Sequence, residues 1–310
     1  MESFKGKHFL TIKDFSRQEI DHIFDVAETL EPVALGREQS NLLKGKILTT
    51  LFFQPSTRTR LSFESAMMRL GGGIMGFASP EASRASGQFK ESMADTARCI
   101  NGYTDIVVMR HYEVGAPADY AKFSTVPMIN AGDGQRGKGV HHPTQALIDL
   151  YTVRKERGVI DGLVFLISGD LNYRVNQSLA NILTRYKNVK LYLIAPDELH
   201  YPDDTETYLR EEGLNFEYIQ RFEDVAKEVD VLYPQPTTQN YQEVMEDKYK
   251  YNLTRLKQCK DDLIVLHALP RLEELATDVD NSKYAKYWEE AHNGIPIRMA
   301  LLSLLLGAIS

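Results

Sequence analysis

The chain has no long apolar run. Nothing in it approaches the ~20 residues that a membrane-spanning helix needs, and the opening stretch MESFKGKHFLTI lacks the apolar centre of a secretory signal. No membrane partner and a cytoplasmic location are therefore expected. Cysteine is scarce: Cys99 and Cys259 stand in unrelated contexts, without CxxC or histidine spacing. That excludes a disulfide framework and a zinc site, so no metal is expected, and both thiols read as packing or surface residues. Positive charge is in deficit, with 36 Lys and Arg against 43 Asp and Glu, for a net charge of −7. A general nucleic-acid partner needs a basic surface and is not expected. There is no internal repeat or low-complexity tract, and no strand-like run is followed by GxGxxG. The dinucleotide fingerprint is thus missing.

What is present is alternation. At 310 residues the chain exceeds the size at which one core stops growing, which predicts two domains. In the first half, residues 14–31 have helical periodicity, and KILTTLFF (46–53), DIVVMRH (105–111) and VPMINAGDG (126–134) are short apolar, strand-like runs. SFESAMMRLGGG reads as a helix stopped by glycines. The second half repeats the pattern with strands at 163–171, 189–197, 216–219, 229–234 and 262–270, and a helix through VNQSLANILTRYK. Such alternation predicts α/β architecture: two doubly wound parallel-sheet domains joined by interdomain helices. The domains are placed at 1–150, completed by the C-terminal helix 293–310, and at 151–292, with PTQALIDLYTVRKERG (143–158) as a connecting helix.

In open parallel sheets ligands bind beyond the carboxyl ends of strands. Five polar segments fall there: Ser56 to Arg60, Arg110 and His111, Asp133 to Gln145, Asp170 to Arg174, and His267 to Arg271. Loops of this kind would line a small-molecule cleft. In FFQPSTRTRLSFE (52–64) a strand-like run passes through Pro55 into a helix. The helix's first turn favours an anion; Ser56, Thr57 and Thr59 add hydroxyl donors, and Arg58 or Arg60 adds a planar fork. This is the pattern of a phosphate site.

Four collinear motifs, STRTR, MRH, HPTQ (142–145) and LPRLEELATDVD (269–280), with the ending NGIPIRMALLSLLLG, resemble the aspartate carbamoyltransferase catalytic chains of the aspartate/ornithine carbamoyltransferase superfamily. The resemblance implies a cofactor-free, metal-free carbamoyltransferase of two α/β domains, a homotrimer with shared sites, whose regulatory chains the sequence leaves open. It implies that Ser56, Thr57, Arg58 and Thr59 hold the phosphate of carbamoyl phosphate and that Arg110 and His142 bind the carbamoyl oxygen. Gln145 would orient the carbamoyl NH2, with the backbone of Ala268 and Leu269 beside it. Arg58, Thr59, Arg110, His142 and Gln145 would be the catalytic set. Ser86 and Lys90, within ASRASGQFKESMADT, would come from a neighbouring subunit, with Phe89 as an alternative alignment to Lys90.

Departures from the family pattern cluster at the acceptor. Where aspartate-specific members resemble GDLKYGRTVHSL, this chain has GDLNYRVNQSL, with Asn172 for the lysine and Arg174 as the candidate arginine. Where they show TRxQxER, it has YPQPTTQNYQE, so Gln235, Thr237, Thr238 and Gln239 offer only neutral donors. Gln54 replaces a glutamate and Ala268 a proline. The insertion GQRGKGV (134–140) brings Arg136 and Lys138, which either replace the lost cations or form a flexible exposed loop; the loop is the favoured expectation. Asn172, Arg174, Gln235, Thr237 and Arg271 are the acceptor candidates. The expected function is transfer of the carbamoyl group to an amino acid, aspartate favoured, as in pyrimidine biosynthesis. A different amine acceptor, or a non-catalytic structural or regulatory paralogue, stands as the alternative.

Overall fold

The computed structural model describes residues 3–79, 81, 91–237 and 245–310. Ser86, Lys90, Thr238 and Gln239 lie outside the described residues. The chain divides into two compact units, the first comprising residues 1–135, 139–147 and 293–310, the second 136–138 and 148–292.

The first unit opens with α1 (Arg17–Thr29), started by a capping box in which Ser16 and Glu19 satisfy each other's backbone N–H groups, and α2 (Glu31–Ala34). There follow β1 (Ile47–Phe52), α3 (Arg58–Arg69), β2 (Gly73–Phe77), α4 (Met93–Ile100), β3 (Ile106–His111), α5 (Ala116–Ala121) and β4 (Met128–Asp133). All pairings are parallel and the strand order is β2-β1-β3-β4. β1, β3 and β4 are almost continuously buried, which is why they read as unbroken apolar runs. β2 is an edge strand with mostly exposed residues; the sequence reading took its glycines only as a helix stop.

α6 (Pro143–Arg157) begins in the first unit and ends in the second. The second unit continues with β5 (Val164–Ser168), α7 (Arg174–Leu183), β6 (Lys190–Ile194), α8 (Asp203–Glu211), β7 (Asn215–Tyr218), β8 (Val231–Pro234), α9 (Leu253–Leu256) and β9 (Ile264–Val265). Its sheet is also parallel, in the order β7-β6-β5-β8-β9. Its core joins Leu166, Leu232 and Val265 from the sheet to Phe222, Tyr249, Tyr251 and Tyr287. α10 (Tyr287–Leu305) starts in this unit and returns to the first. The boundary expected at residue 150 lies inside α6, where the two units part between Leu147 and Ile148. Among the described residues no helix is long and apolar enough to cross a membrane.

Each sheet has its first strand inside, with later strands added on both sides. The order reverses between β1 and β3 in the first unit and between β5 and β8 in the second. Those two switch points are where open parallel sheets take ligands.

Candidate active site

At the switch point of the first unit, Phe52 on β1 is in register with Arg110 on β3, and the Phe53 N–H donates to the Arg110 carbonyl at 2.8 Å. Arg110 and the loop that follows β1 are thereby fixed side by side. That loop enters α3 through Thr57, whose side chain makes no capping bond. A helix's first turn beyond a strand end is where an anion site forms. The two arginines differ. Arg60 donates through Nε to Glu64 at 2.7 Å, one turn on, whereas Arg58 is exposed on the first turn. Thr59 is buried, Ser56 half-buried and Thr57 exposed.

His142 caps the start of α6 immediately before Pro143, and its carbonyl accepts from the Gln145 N–H at 3.0 Å. Its Nε2 lies 3.4 Å from Arg110 Nη1. Arginine can only donate, so Nε2 is the acceptor in this contact and the ring is neutral, with its proton on Nδ1. His142 is buried and Gln145 half-buried on the same helical turn. Neighbouring His111 is placed differently: fully buried, it packs its ring 4.4 Å from Phe53 and accepts the Glu113 N–H through Nδ1, a structural role.

At the switch point of the second unit, the loops after β5 and β8 touch. Gly169 has φ +108°, and a Cβ there would lie 1.8 Å from the Gln235 carbonyl oxygen, so only glycine fits. Gln235 is buried, and its side-chain Nε2 has no hydrogen-bond partner among the described residues. Thr237 follows, half-buried.

Asp170 is buried, and burial pushes its carboxyl up to about 6, against the opposing pull of Arg136. Its Oδ1 accepts the Asn172 N–H at 3.1 Å, its Oδ2 is 2.5 Å from Arg136 Nε, and its carbonyl takes the Asn176 amide at 2.6 Å. Gln135, Arg136, Lys138 and Gly139 are exposed, as expected of a loop at 134–140, and backbone contacts pin its middle residues. The Gly137 N–H donates to the Asn172 carbonyl at 3.1 Å, Gln177 Nε2 donates to the Gly137 carbonyl at 2.8 Å, and Arg136 bridges antiparallel to Tyr173. Gly137 has φ +90°, a conformation that a side chain would strain. Gln177 is itself held by the Thr205 hydroxyl at 2.9 Å. The insertion is therefore clamped onto the loop after β5, a contact that the spacing from 137 to 177 hides from sequence inspection.

Other acceptor candidates change role. Asn172 serves the turn: its backbone makes the bonds just described and its Nδ2 reaches the Glu198 carbonyl at 3.4 Å. Arg174 is buried at the first position of α7, its guanidinium carbon 6.0 Å from the Tyr173 ring centre. Arg271 is engaged by Asp280, with Nη2 at 2.7 Å from Oδ2 and Nη1 on Oδ1, and by Tyr287. The correction follows from its charge: a planar fork already matched to an internal carboxylate is not open to a second one.

The turn at Ala268 and Leu269 is built from behind. The Leu269 N–H donates to His267 Nδ1 at 2.8 Å, so Nε2 carries the proton and donates to Glu274 at 2.7 Å, both side chains being fully buried. Glu274 also accepts the Leu272 N–H, and Glu290 takes the His267 N–H at 2.7 Å. Leu269 sits at φ +53°, unusual for a branched residue and held by these contacts. Among the described residues no cluster of three His, Cys, Asp or Glu is arranged to hold a metal.

Two parallel α/β units, each with polar loops at its switch point, have the architecture of proteins that bind small molecules at strand ends. Residues 7–155 match the family model described as "Aspartate/ornithine carbamoyltransferase, carbamoyl-P binding domain", and residues 161–305 match "Aspartate/ornithine carbamoyltransferase, Asp/Orn binding domain". The chain belongs to the aspartate/ornithine carbamoyltransferase family. It is 44% identical over 318 residues to the aspartate carbamoyltransferase catalytic subunit of Methanococcoides burtonii, covering 99% of each chain. It is 44% identical over 313 residues to that of Thermococcus kodakarensis, covering 98% of each. Among solved structures, the aspartate transcarbamoylase of Trypanosoma cruzi in complex with carbamoyl aspartate and phosphate superposes with a TM-score of 0.88 at 34% identity, over 98% of this chain and 97% of that one.

Proposed function

We propose that the chain is the catalytic chain of an aspartate carbamoyltransferase, moving the carbamoyl group of carbamoyl phosphate to the amino group of aspartate in the cytoplasm, a step of pyrimidine biosynthesis. The first unit is its carbamoyl phosphate-binding domain and the second its acceptor-binding domain. The observation that carries this reading is Arg110 Nη1 and His142 Nε2 converging to 3.4 Å at the switch point beside the α3 N-terminus. A carbonyl oxygen entering there would accept from Arg110 and, in the other ring tautomer, from His142.

Ser56, Thr57, Arg58 and Thr59 bind the phosphate. Arg110 and His142 bind the carbonyl oxygen, Gln145 orients the carbamoyl NH2, and the backbone of Ala268 and Leu269 receives that same NH2. The acceptor's amine attacks the carbonyl carbon, and negative charge grows on the oxygen as the new C–N bond forms. The C–O bond to phosphate then breaks, and the departing phosphate takes the proton released by the amine. No covalent enzyme intermediate is required, because holding two reactants in attack geometry removes much of the entropic barrier. By the family pattern the working form is a homotrimer in which Ser86 and Lys90 complete a neighbour's site; regulatory chains are compatible with it.

A second reading keeps the reaction and changes the acceptor to another amino acid. It is favoured by one feature: residues 235–243, PTTQN and its flanks, carry no cation where a dicarboxylate clamp would have one. The two are separated by phosphate release from carbamoyl phosphate in the presence of L-aspartate and, in parallel, of each other L-amino acid. The first reading expects the highest kcat/KM with aspartate. Release confined to another amino acid would replace it with the second.

A further inference from the structure

We propose that Arg136, carried by the 134–140 insertion, binds a carboxylate of the acceptor, with Asp170 as its positioning residue and Gln235 Nε2 as a second donor. This rests on the carbamoyl-transfer reading and names how its acceptor is recognised.

Four observations converge. First, an acidic acceptor needs a cation, and none stands in the loop after β8 where a clamp arginine would be. Second, Arg271 is matched to Asp280 and presents no open fork, and Arg174 is buried at the start of α7 beside Tyr173. Third, Arg136 is fixed at the carboxyl end of β5 at both levels of its structure. Its backbone pairs with Tyr173 and its neighbour Gly137 is held by Asn172 and Gln177. Its side chain meets Asp170 through Nε, which leaves Nη1 and Nη2 clear of other described residues, with the side chain 40% exposed. Those two amino groups are the end-on fork that a carboxylate matches bidentately.

Fourth, Gln235 is 4% exposed, with an Nε2 that has no hydrogen-bond partner among the described residues, on the loop that Gly169 locks against β5. A buried amide donor without an acceptor is costly, and a ligand carboxylate oxygen would satisfy it. Asp170 aims the guanidinium through Nε and leaves its two amino groups for the ligand.

The test is steady-state kinetics of the full chain with carbamoyl phosphate and L-aspartate, or the best acceptor of the amino-acid panel, for the wild type, Arg136→Ala, Arg136→Lys and Lys138→Ala. Arg136→Ala is expected to lower kcat/KM for the acceptor about 10- to 100-fold, the worth of a charge-assisted pair. The change should lie mainly in the acceptor KM, with the KM for carbamoyl phosphate within about twofold. Arg136→Lys, which keeps charge and loses the fork, should fall between, and Lys138→Ala should stay within about twofold of wild type. Arg136 is exposed, so the alanine variant should fold, and an unchanged melting profile would verify that. A wild type that turns over while Arg136→Ala leaves the acceptor KM unmoved overturns the proposal alone. A wild type that releases no phosphate with any acceptor overturns the carbamoyl-transfer reading and the proposal with it.

Discussion

Replacing Asp170 by asparagine should make the protein more stable and less active. The side chain is 3% exposed, and its carboxyl is pushed from an ordinary 3.8 up to about 6. A shift of about 2 units at ~1.36 kcal/mol each means that ionising Asp170 costs the folded state up to about 3 kcal/mol relative to the unfolded chain. The sign is that of a raised acid. Between about pH 4 and 6 the native state holds a proton that the unfolded state has lost, so wild-type stability falls as pH rises through that window. Above pH 7 the full cost is present, and below pH 4 it is absent. Asparagine never ionises and keeps an oxygen for the Asn172 N–H, now 3.1 Å from Oδ1. The lost ion pair returns little, because Arg136 is 40% exposed and regains water. Urea denaturation should therefore show Asp170→Asn more stable by about 1–3 kcal/mol at pH 8, with the advantage vanishing toward pH 4.5. Acceptor kcat/KM should fall, since Arg136 loses its aim. A variant less stable at pH 8, or an advantage that does not shrink on acidification, would refute the claim that burial sets this ionisation.

Three further outcomes follow from the same geometry. Arg110→Ala should lower kcat by about 10²- to 10³-fold, the usual loss when one donor to a developing oxyanion is removed, measured by phosphate release at saturating substrates. Gly169→Ala places a Cβ 1.8 Å from the Gln235 carbonyl at φ +108°, so the loops after β5 and β8 must part; the acceptor KM should rise while binding of inorganic phosphate, read by calorimetry, is unchanged. Asp280→Asn tests the correction at Arg271. The Asp280 carboxyl is held below its ordinary range by its hydrogen bond to Arg271, so it stabilises the fold above that range and loses the effect as pH falls through it. The variant should lose about 1 kcal/mol at pH 7 and almost nothing near pH 3.

Much of the fold was legible because buried parallel strands announce themselves. ILTTLF, IVVMRH and VFLIS are mostly apolar and buried on both faces, and each leads into polar residues where the chain leaves the sheet. β2 was missed because an exposed edge strand of sequence GIMGF carries no such signal and sits behind three glycines. The run at 262–270 yields only Ile264–Val265 as strand, because from His267 the backbone is taken over by contacts with Glu274 and Glu290. STRTR and HPTQ were readable as chemistry at strand ends. The partner of Arg271 was not, since Asp280 sits nine positions on and across a turn. Nor was the docking of the insertion, which depends on Gln177 reaching forty residues back to Gly137. Glycine and exposed cations at 134–140 have the composition of a loose loop; only the partner residues reveal a clamp.

The most direct test of the central claim is to supply carbamoyl phosphate labelled with 13C at its carbonyl, together with L-aspartate, and follow the carbon and the phosphate together by NMR. The label is expected in the ureido carbon of N-carbamoyl-L-aspartate in equal amount to the phosphate released, with Arg110→Ala slowing both alike. Phosphate released without label transfer, or no enzyme-dependent release with aspartate, would contradict the central claim.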